Sequence, residues 1–259
     1  MPKISIVSAY YNCKESLWKT LKSINQSKFK DFEYIIVDDA SDQSQRIENL
    51  VKEFDFVRLI RIEPEDKHHV NSCIPFNLGF SLIKSDIVII QYPECLHVGD
   101  VLSFVNKNSK DNQYITFSCY SLSENASKNF NIKNVKNFQP KSVVEAGKYN
   151  SWLVHPIHRP AHYNYLTSIT TKDLMDLGGF DERFANGVEF NKDEFADRIK
   201  KKNMNIEFIE SPFCVYQHNK TMTNRELYEN CVKSSNYKID NGLLQDNSYY
   251  EYKKYLKQG

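Results

Sequence analysis

The sequence predicts an α/β fold in which a mostly parallel central sheet is flanked by helices. Short apolar, β-branched segments recur along the chain, and helical patterns lie between them, which is the order that builds βαβ units. One of these segments, residues 87–90, is the unbroken run Ile-Val-Ile-Ile, which suits a central strand buried on both faces. The 259 residues suffice for one domain with a sizeable core.

The first half of the chain supplies strands and helices in alternation. Leu17, Leu21 and Ile24 follow one another at spacings of four and three, which gives the first helix an apolar face. The predicted strands are 4–7, 32–37, 57–62 and 87–90, and the predicted helices are 16–26, 46–54 and 75–83.

The second half is less regular, because residues 121–137 are rich in Ser, Asn and Lys and are typical of a surface excursion. The pattern becomes regular again with a strand at 166–170, a short helix to Leu177, a Gly178-Gly179 turn, a helix at about 192–202 and a strand at 206–209. We expect the domain to cover residues 1–220. Residues 221–259, rich in Tyr and Lys, are expected to form a C-terminal helical extension packed on it.

Composition narrows the classes of function. Lys+Arg 34 against Asp+Glu 33 gives a formal net charge of +1, which does not favour a nucleic-acid partner. The six cysteines are scattered without a C-x-x-C pair and are expected to be reduced thiols. Neither a signal peptide nor a transmembrane segment is predicted, so we expect a cytoplasmic protein, with peripheral contact to a membrane left open for the Lys-rich tail.

Polar residues follow three of the predicted strands. They lie at 8–12, 38–41 and 91–94, and ligand sites of open parallel sheets lie beyond such strand ends. Asp38 and Asp39 could accept hydrogen bonds from a nucleotide base or a ribose. The alternative, that one of them caps the following helix, stays open at this point.

Two of these strand ends resemble the opening of the family 2 glycosyltransferases of the GT-A fold. Residues 4–12 are ISIVSAYYN and residues 32–42 are FEYIIVDDASD, where the family has a strand ending in P-T-Y-N and a second ending in V-D-D-x-S. Further matches lie at 77–79 (NLG), at 178–182 (GGFDE) and at His218. The resemblance covers about residues 3–220 and implies a Rossmann-like GT-A domain.

The resemblance implies a site for a nucleoside diphosphate sugar, with UDP or dTDP favoured. In that site Ala9 and Tyr11 would line the base, Asp39 would bind the base imide, and Asp38 would support its loop.

The family's metal-binding D-x-D motif is replaced here by Gln91-Tyr92-Pro93-Glu94. The resemblance implies that Glu94, together with His218, holds Mn²⁺ or Mg²⁺, since these ions accept sites with few protein ligands. The alternative is a polar strand end and a surface histidine with other partners.

The family's general base belongs to an acidic pair about six residues before an arginine. Counting back from Arg198 gives Asn191-Lys192, neither of which can serve, so Asp193 is the predicted base and Glu189 the reserve. A capping box from Asn191 to Glu194 is the structural alternative.

The segment 152–163 is dense in rings and basic groups. Arg159 could neutralise a diphosphate, and Trp152 or Tyr163 could stack on a sugar. Zinc binding by its histidines is a weaker alternative, and a loop packed by its own rings is another. Asp181 could hydrogen-bond sugar hydroxyls of the acceptor.

Together these motifs predict transfer of a sugar, with inversion, from a nucleoside diphosphate sugar to a hydroxyl of a glycan or lipid-linked acceptor. A GT-A domain that binds nucleotide or glycan without catalysis is the alternative. A nucleotidyltransferase is not supported, because no Gly-rich phosphate loop follows the first strand.

Overall fold

The computed structural model describes residues 1–140, 149–187 and 191–218. The predicted C-terminal extension, residues 221–259, and the reserve base Glu189 lie outside the described residues.

A nine-stranded sheet forms the centre of the described residues. Its strands are β1 (Ile4–Tyr10), β2 (Phe32–Asp39), β3 (Val57–Ile62), β4 (Ile87–Gln91), β5 (Cys95–Val98), β6 (Gln113–Ser121), β7 (Ser151–Val154), β8 (Leu166–Thr170) and β9 (Asn205–Tyr216). The order across the sheet is β3-β2-β1-β4-β8-β6-β9-β5, and β7 pairs with β6.

The sheet has a parallel half and a mixed half. Strands β3, β2, β1 and β4 are all parallel, so their carboxyl ends lie at one edge. Beyond β4, the strand β8 runs antiparallel to both β4 and β6, whereas β6 and β9 are parallel. The predicted α/β class is confirmed, and the mixed half is where the sheet departs from a parallel one.

Seven α-helices of the described residues cover the sheet. They are α1 (Lys14–Ile24), α2 (Glu48–Val51), α3 (Cys73–Phe80), α4 (Val101–Asn108), α5 (Glu124–Lys128), α6 (Thr171–Leu177) and α7 (Asn191–Lys201). Of these described helices, none is long and apolar enough to cross a membrane.

Alternate residues of the parallel strands feed two separate cores, as a period of two requires. Ile4 and Ile6 of β1 pack on one face with α1, through Leu17 and Leu21. Val7 of β1 packs on the other face, in a core that contains the rings of residues 76, 80, 180 and 195. The carboxyl ends of the parallel strands therefore belong to elements that are packed against an apolar core on both faces of the sheet.

The predicted elements of the first half are present, with one shortened helix. The helix predicted at 46–54 reduces to Glu48–Val51, preceded by a 3₁₀ turn at Gln43–Gln45. The sequence did not predict β5, β6, β7 or α4. Strand β6 was missed because it contains polar residues, all of which are buried in the structure. One of them is Ser118, whose Oγ donates to the Ile209 carbonyl at 3.0 Å.

The predicted Gly178-Gly179 turn ends α6 with two residues in the left-handed region, at φ of 79° and 68°. A Cβ on Gly178 would meet nothing within 4 Å, whereas a Cβ on Gly179 would lie 2.6 Å from Asn77 Oδ1. That oxygen accepts from the Phe180 N–H at 2.8 Å and cannot move away without losing this bond.

We expect Gly179→Ala to destabilise the protein more than Gly178→Ala. Both pay the roughly 1 kcal/mol cost of a left-handed alanine, and Gly179→Ala also disturbs the Asn77 amide, for about 1–2 kcal/mol more. Urea unfolding of the two variants measures the difference. Equal losses of stability would mean that the Asn77 contact contributes nothing.

Candidate functional site

The carboxyl ends of β1 and β2 are joined by a reciprocal set of hydrogen bonds. The Asn12 backbone N–H donates to Ser41 Oγ at 3.1 Å, and the Asn12 side chain donates to Asp42 at 2.9 Å and accepts from the Asp42 N–H at 2.9 Å. Asn12 and Ala40 both have positive φ, near 50° and 59°. The two loops that follow these strands therefore form one preorganised unit. Half-buried Tyr11 directly precedes Asn12, and half-buried Ala9 lies two residues before Tyr11.

Asp38 holds the loop that follows β2. Its Oδ1 accepts from the Ser41 N–H at 2.9 Å, and its Oδ2 pairs with Arg61 Nη1 at 2.5 Å. The same guanidinium donates to the Ser41 carbonyl at 3.0 Å. These contacts give the buried Asp38 a structural task within the loop.

Asp39 is bound by two basic residues that the sequence reasoning missed. Its Oδ1 lies 2.8 Å from His69 Nε2, and its Oδ2 lies 2.9 Å from Lys67 Nζ. The same ammonium lies 4.4 Å from the centre of the Tyr11 ring. Tyr11, Lys67, His69 and Asp39 thus form one cluster, and the polar run Lys67-His68-His69 was the available signal for it.

Gln91 has a structural role at the end of β4. Burial lowers the pKa of His97 to about 3, so its ring is neutral and can donate from Nε2 to Gln91 Oε1 at 2.9 Å. Gln91 Nε2 donates to the Cys95 carbonyl at 2.9 Å. Gln91 therefore fixes the turn from β4 to β5 and does not face a ligand.

Glu94 lies beside the end of β1. The Cys13 thiol bonds to its carboxyl group, and Cys13 follows Tyr11 by two residues. Burial raises the pKa of Glu94 to about 7, against the opposing effects of its own backbone N–H, the Cys13 thiol and the Lys192 ammonium. The Cys13 thiol also bonds to the backbone of Tyr11, so Glu94 is connected through Cys13 to the cluster that contains Tyr11 and Asp39.

His218 follows a residue that is hydrogen-bonded to the backbone of Glu94. The neighbouring Gln217 N–H donates to the Glu94 carbonyl at 3.0 Å. The His218 ring packs on Tyr149 with centroids 4.5 Å apart, and its Nε2 lies 2.9 Å from the Tyr149 hydroxyl.

This donor set is a poor match for Mn²⁺ or Mg²⁺, because a carboxyl ligand must be ionised to bind either ion. The Glu94 carboxyl is bonded to a thiol and faces a lysine, and the Nε2 of His218 is engaged by Tyr149. In the described parts of the chain, the group of three close ligand atoms consists of Cys95, Cys119 and Cys214, which are soft ligands. Metal binding by Glu94 and His218 stays a prediction, which the titrations with EDTA and with Mn²⁺ described below test.

The first turn of α7 brings Lys192 to the same end of the sheet. Its Nζ lies 4.6 Å from the centre of the Tyr92 ring and 5.6 Å from that of Tyr165. Asn191 is buried, and its Oδ1 accepts from Asn71 at 3.3 Å. Asp193 is half-buried one position after Lys192. Adjacent helical residues are rotated by about 100° about the helix axis, so the two side chains leave α7 in different directions.

Trp152 is a core residue, which corrects its predicted role as a platform for a sugar. Its side chain is 8% exposed and packs against Tyr120 and Phe213, with centroids 5.2 and 5.7 Å away. The density of rings in this segment thus reflects packing. Arg159 is half-buried and lies over the Tyr163 ring at 5.9 Å, so its proposed contact with a diphosphate stays a prediction.

Asp181 borders a separate cleft. Burial alone would raise its pKa, yet Arg183 holds the pKa of this carboxyl below its ordinary value through an ion pair of 2.5 Å. The cleft has a volume of about 380 Å³ and is lined by residues that do not include Tyr11, Asp39 or Glu94. A role for Asp181 toward an acceptor stays a prediction.

The family model and the characterised proteins that the chain resembles are glycosyltransferases or polysaccharide synthases. Residues 5–91 match the model of glycosyl transferase family 2. The chain is 29% identical over 117 residues to the poly(ribitol-phosphate) beta-N-acetylglucosaminyltransferase TarP of Staphylococcus aureus, covering 43% of this chain and 35% of TarP. It is 25% identical over 244 residues to the chondroitin synthase of Escherichia coli, covering 83% of this chain and 34% of that protein. The chain thus spans about a third of the length of these relatives.

Solved structures of glycosyltransferases share the fold. S. aureus TarS 1-349 in complex with UDP-GlcNAc superposes with a TM-score of 0.58 at 13% identity, covering 98% of this chain and 71% of that chain. The mannosyltransferase PcManGT from Pyrobaculum calidifontis, in complex with GDP-Man and Mn²⁺, gives 0.53 at 13% identity, covering 97% and 69%. At these identities the likeness establishes the fold, and it is the GT-A-like α/β fold that the sequence predicts.

Proposed function

We propose that this chain transfers a sugar from a nucleoside diphosphate donor to a hydroxyl group of a glycan or lipid-linked acceptor, with inversion at the anomeric carbon. The observation that carries the proposal is that contacts connect Tyr11, Asp39 and Glu94 at the carboxyl ends of β1, β2 and β4. Ligands of open α/β sheets bind at this edge. The match of residues 5–91 to glycosyl transferase family 2 supports the same assignment.

The cluster around Asp39 is suited to a nucleotide base. The Asp39 side chain, which Lys67 and His69 hold in place, offers carboxyl oxygens as acceptors for the N–H of a pyrimidine imide. The Tyr11 ring offers a face for the base, beside Ala9. UDP or dTDP is therefore the favoured type of donor, and UDP-GlcNAc in the structurally similar TarS supports UDP.

Transfer with inversion requires three events at one carbon. The acceptor oxygen bonds to the anomeric carbon while the bond from that carbon to the diphosphate oxygen breaks. The bonding electrons leave with the diphosphate, and the hydroxyl proton passes to a carboxylate base. Asp193, in the first turn of α7, is the proposed base.

A two-part experiment tests the proposal. Thermal unfolding with UDP, dTDP and GDP first measures binding, because a ligand at 100 times its Kd stabilises the folded state by about 2.7 kcal/mol. Release of nucleoside diphosphate from the matching sugar nucleotides then measures transfer. We expect UDP or dTDP to stabilise the protein, and Asp193→Asn to lower turnover by about 100-fold or more while leaving nucleotide binding intact.

Asp197→Asn is the matched control, because Asp197 lies one helical turn further along α7. Equal turnover of Asp193→Asn and the wild-type protein would remove Asp193 as the base. Nucleotide binding without release of nucleoside diphosphate from any donor, with glycan or lipid-linked acceptors supplied, would favour a domain that binds without transferring. Failure of every nucleotide to stabilise the protein would overturn the proposed function.

A further inference from the structure

Lys192 is a cation held between two aromatic faces at the candidate site. Its ammonium lies 4.6 Å from the Tyr92 ring centre and 5.6 Å from that of Tyr165. These two residues are themselves joined, because the Tyr92 N–H donates to the Tyr165 carbonyl at 3.1 Å and their rings lie 5.4 Å apart. The aromatic faces hold the side chain across the edge of the sheet where β4 ends.

The ammonium has no ion-pair partner in the part of the chain that the structure describes. Lysines nearby behave differently, since Lys67 pairs with Asp39 at 2.9 Å and Lys200 pairs with Asp197 at 3.8 Å. Aromatic faces stabilise a cation without neutralising it or accepting its N–H bonds as an oxyanion would. Lys192 therefore keeps N–H groups available for a bound anion.

We propose that Lys192 binds the diphosphate of the donor and stabilises the negative charge on it as the sugar leaves. This inference rests on the proposed function and adds the residue that receives the leaving group. Three features carry it: the position of Lys192 beside Tyr92, its aromatic support, and the absence, among the described residues, of a carboxylate within ion-pair distance, although Glu94 is near enough to interact with it electrostatically.

The chemistry requires no proton transfer by Lys192. As the bond between the anomeric carbon and the diphosphate oxygen breaks, the electron pair stays on the diphosphate. A fixed ammonium nearby lowers the energy of that charged state more than it lowers that of the intact donor. This is the charge that a divalent cation supplies in metal-dependent transferases.

The test compares ligands with and without a diphosphate. Isothermal titration with UDP and with uridine is carried out on the wild-type protein, Lys192→Gln and Lys192→Arg, each with EDTA and with added Mn²⁺. If dTDP or GDP binds more tightly than UDP, that nucleotide and its nucleoside are used in place of UDP and uridine. We expect wild-type protein to bind UDP in EDTA, and Lys192→Gln to weaken UDP binding by about tenfold or more while uridine binding is unchanged. Lys192→Arg keeps the charge and is expected to retain most of the affinity.

Lys200→Gln is the matched control, because it removes one positive charge from the exposed face of the same helix. Equal UDP affinity of Lys192→Gln and wild type would overturn the inference and leave the proposed function standing. An equal loss of affinity for UDP and for uridine would also overturn the inference, because it would indicate a structural role for Lys192. Loss of UDP binding by the wild-type protein in EDTA would overturn it too, because a metal ion would then bind the diphosphate. Wild-type protein that binds no nucleotide would overturn the proposed function and this inference together.

Discussion

Asp39→Ala is expected to weaken the binding of UDP by about 10- to 100-fold. A hydrogen bond to a charged acceptor contributes about 1.5–3 kcal/mol, which corresponds to this range in Kd. The variant also leaves Lys67 and His69, 2.9 and 2.8 Å from the carboxylate, without their shared partner. Isothermal titration with UDP and with uridine measures the effect, and both ligands should lose affinity, because the contact is to the base.

Asp66→Ala is the control for Asp39→Ala, since Asp66 is an exposed carboxylate directly before Lys67. It removes the same charge from the same region without removing a partner of the cluster, and we expect UDP affinity close to wild type. Undiminished binding by Asp39→Ala would contradict the assignment of Asp39 to the base. Asp39→Asn separates charge from shape, because the amide retains one acceptor oxygen.

The carboxyl ends of β1, β2 and β4 could be predicted from the sequence because their strands are strongly patterned. Unbroken apolar residues mark a strand buried on both faces, and the polar residue that interrupts the run marks its end. Tyr11, Asp39 and Glu94 were predicted in this way, and the roles that the family resemblance implies for them stay predictions.

The partners of Asp39 could not be predicted, because the pairing is not local. Lys67 and His69 lie 28 and 30 residues after Asp39, in a polar segment without periodicity. Only the parallel pairing of β2 and β3 brings that segment to the site. The same limitation concealed the role of Lys192, whose aromatic neighbours are Tyr92, directly after β4, and Tyr165, directly before β8.

For Trp152 the sequence predicted a ligand contact, whereas the structure shows a core residue. Rings and basic groups crowded in one segment suggested a binding surface. Tyr120, Phe138 and Phe213 instead build a third apolar core with Trp152, beneath the excursion at 121–137 that the sequence placed wholly on the surface. Ring density cannot distinguish the two outcomes, since aromatic residues serve both cores and binding sites.

Glu194→Ala is expected to destabilise the folded state by about 3–5 kcal/mol, the loss typical of a buried ion pair that is broken on one side. The Glu194 side chain is fully buried, and burial raises its pKa although Arg198 opposes the shift. Arg198 binds Glu194 through two nitrogens and also donates to the carbonyls of Leu177 and, at 2.9 Å, Gly179. Urea unfolding of the variant measures the loss.

The control is Glu124→Ala, because Glu124 forms an exposed pair with Lys128 at the same spacing of four residues, and its loss should hardly change stability. The double variant Glu194→Leu/Arg198→Met should recover part of the loss, since both buried charges are then gone. A loss as small as that of Glu124→Ala would show that the pair does not hold α7 to the Gly178-Gly179 turn. If it does hold α7, Glu194→Ala should also lower turnover at temperatures where the variant remains folded, because the first turn of this helix carries Lys192 and Asp193.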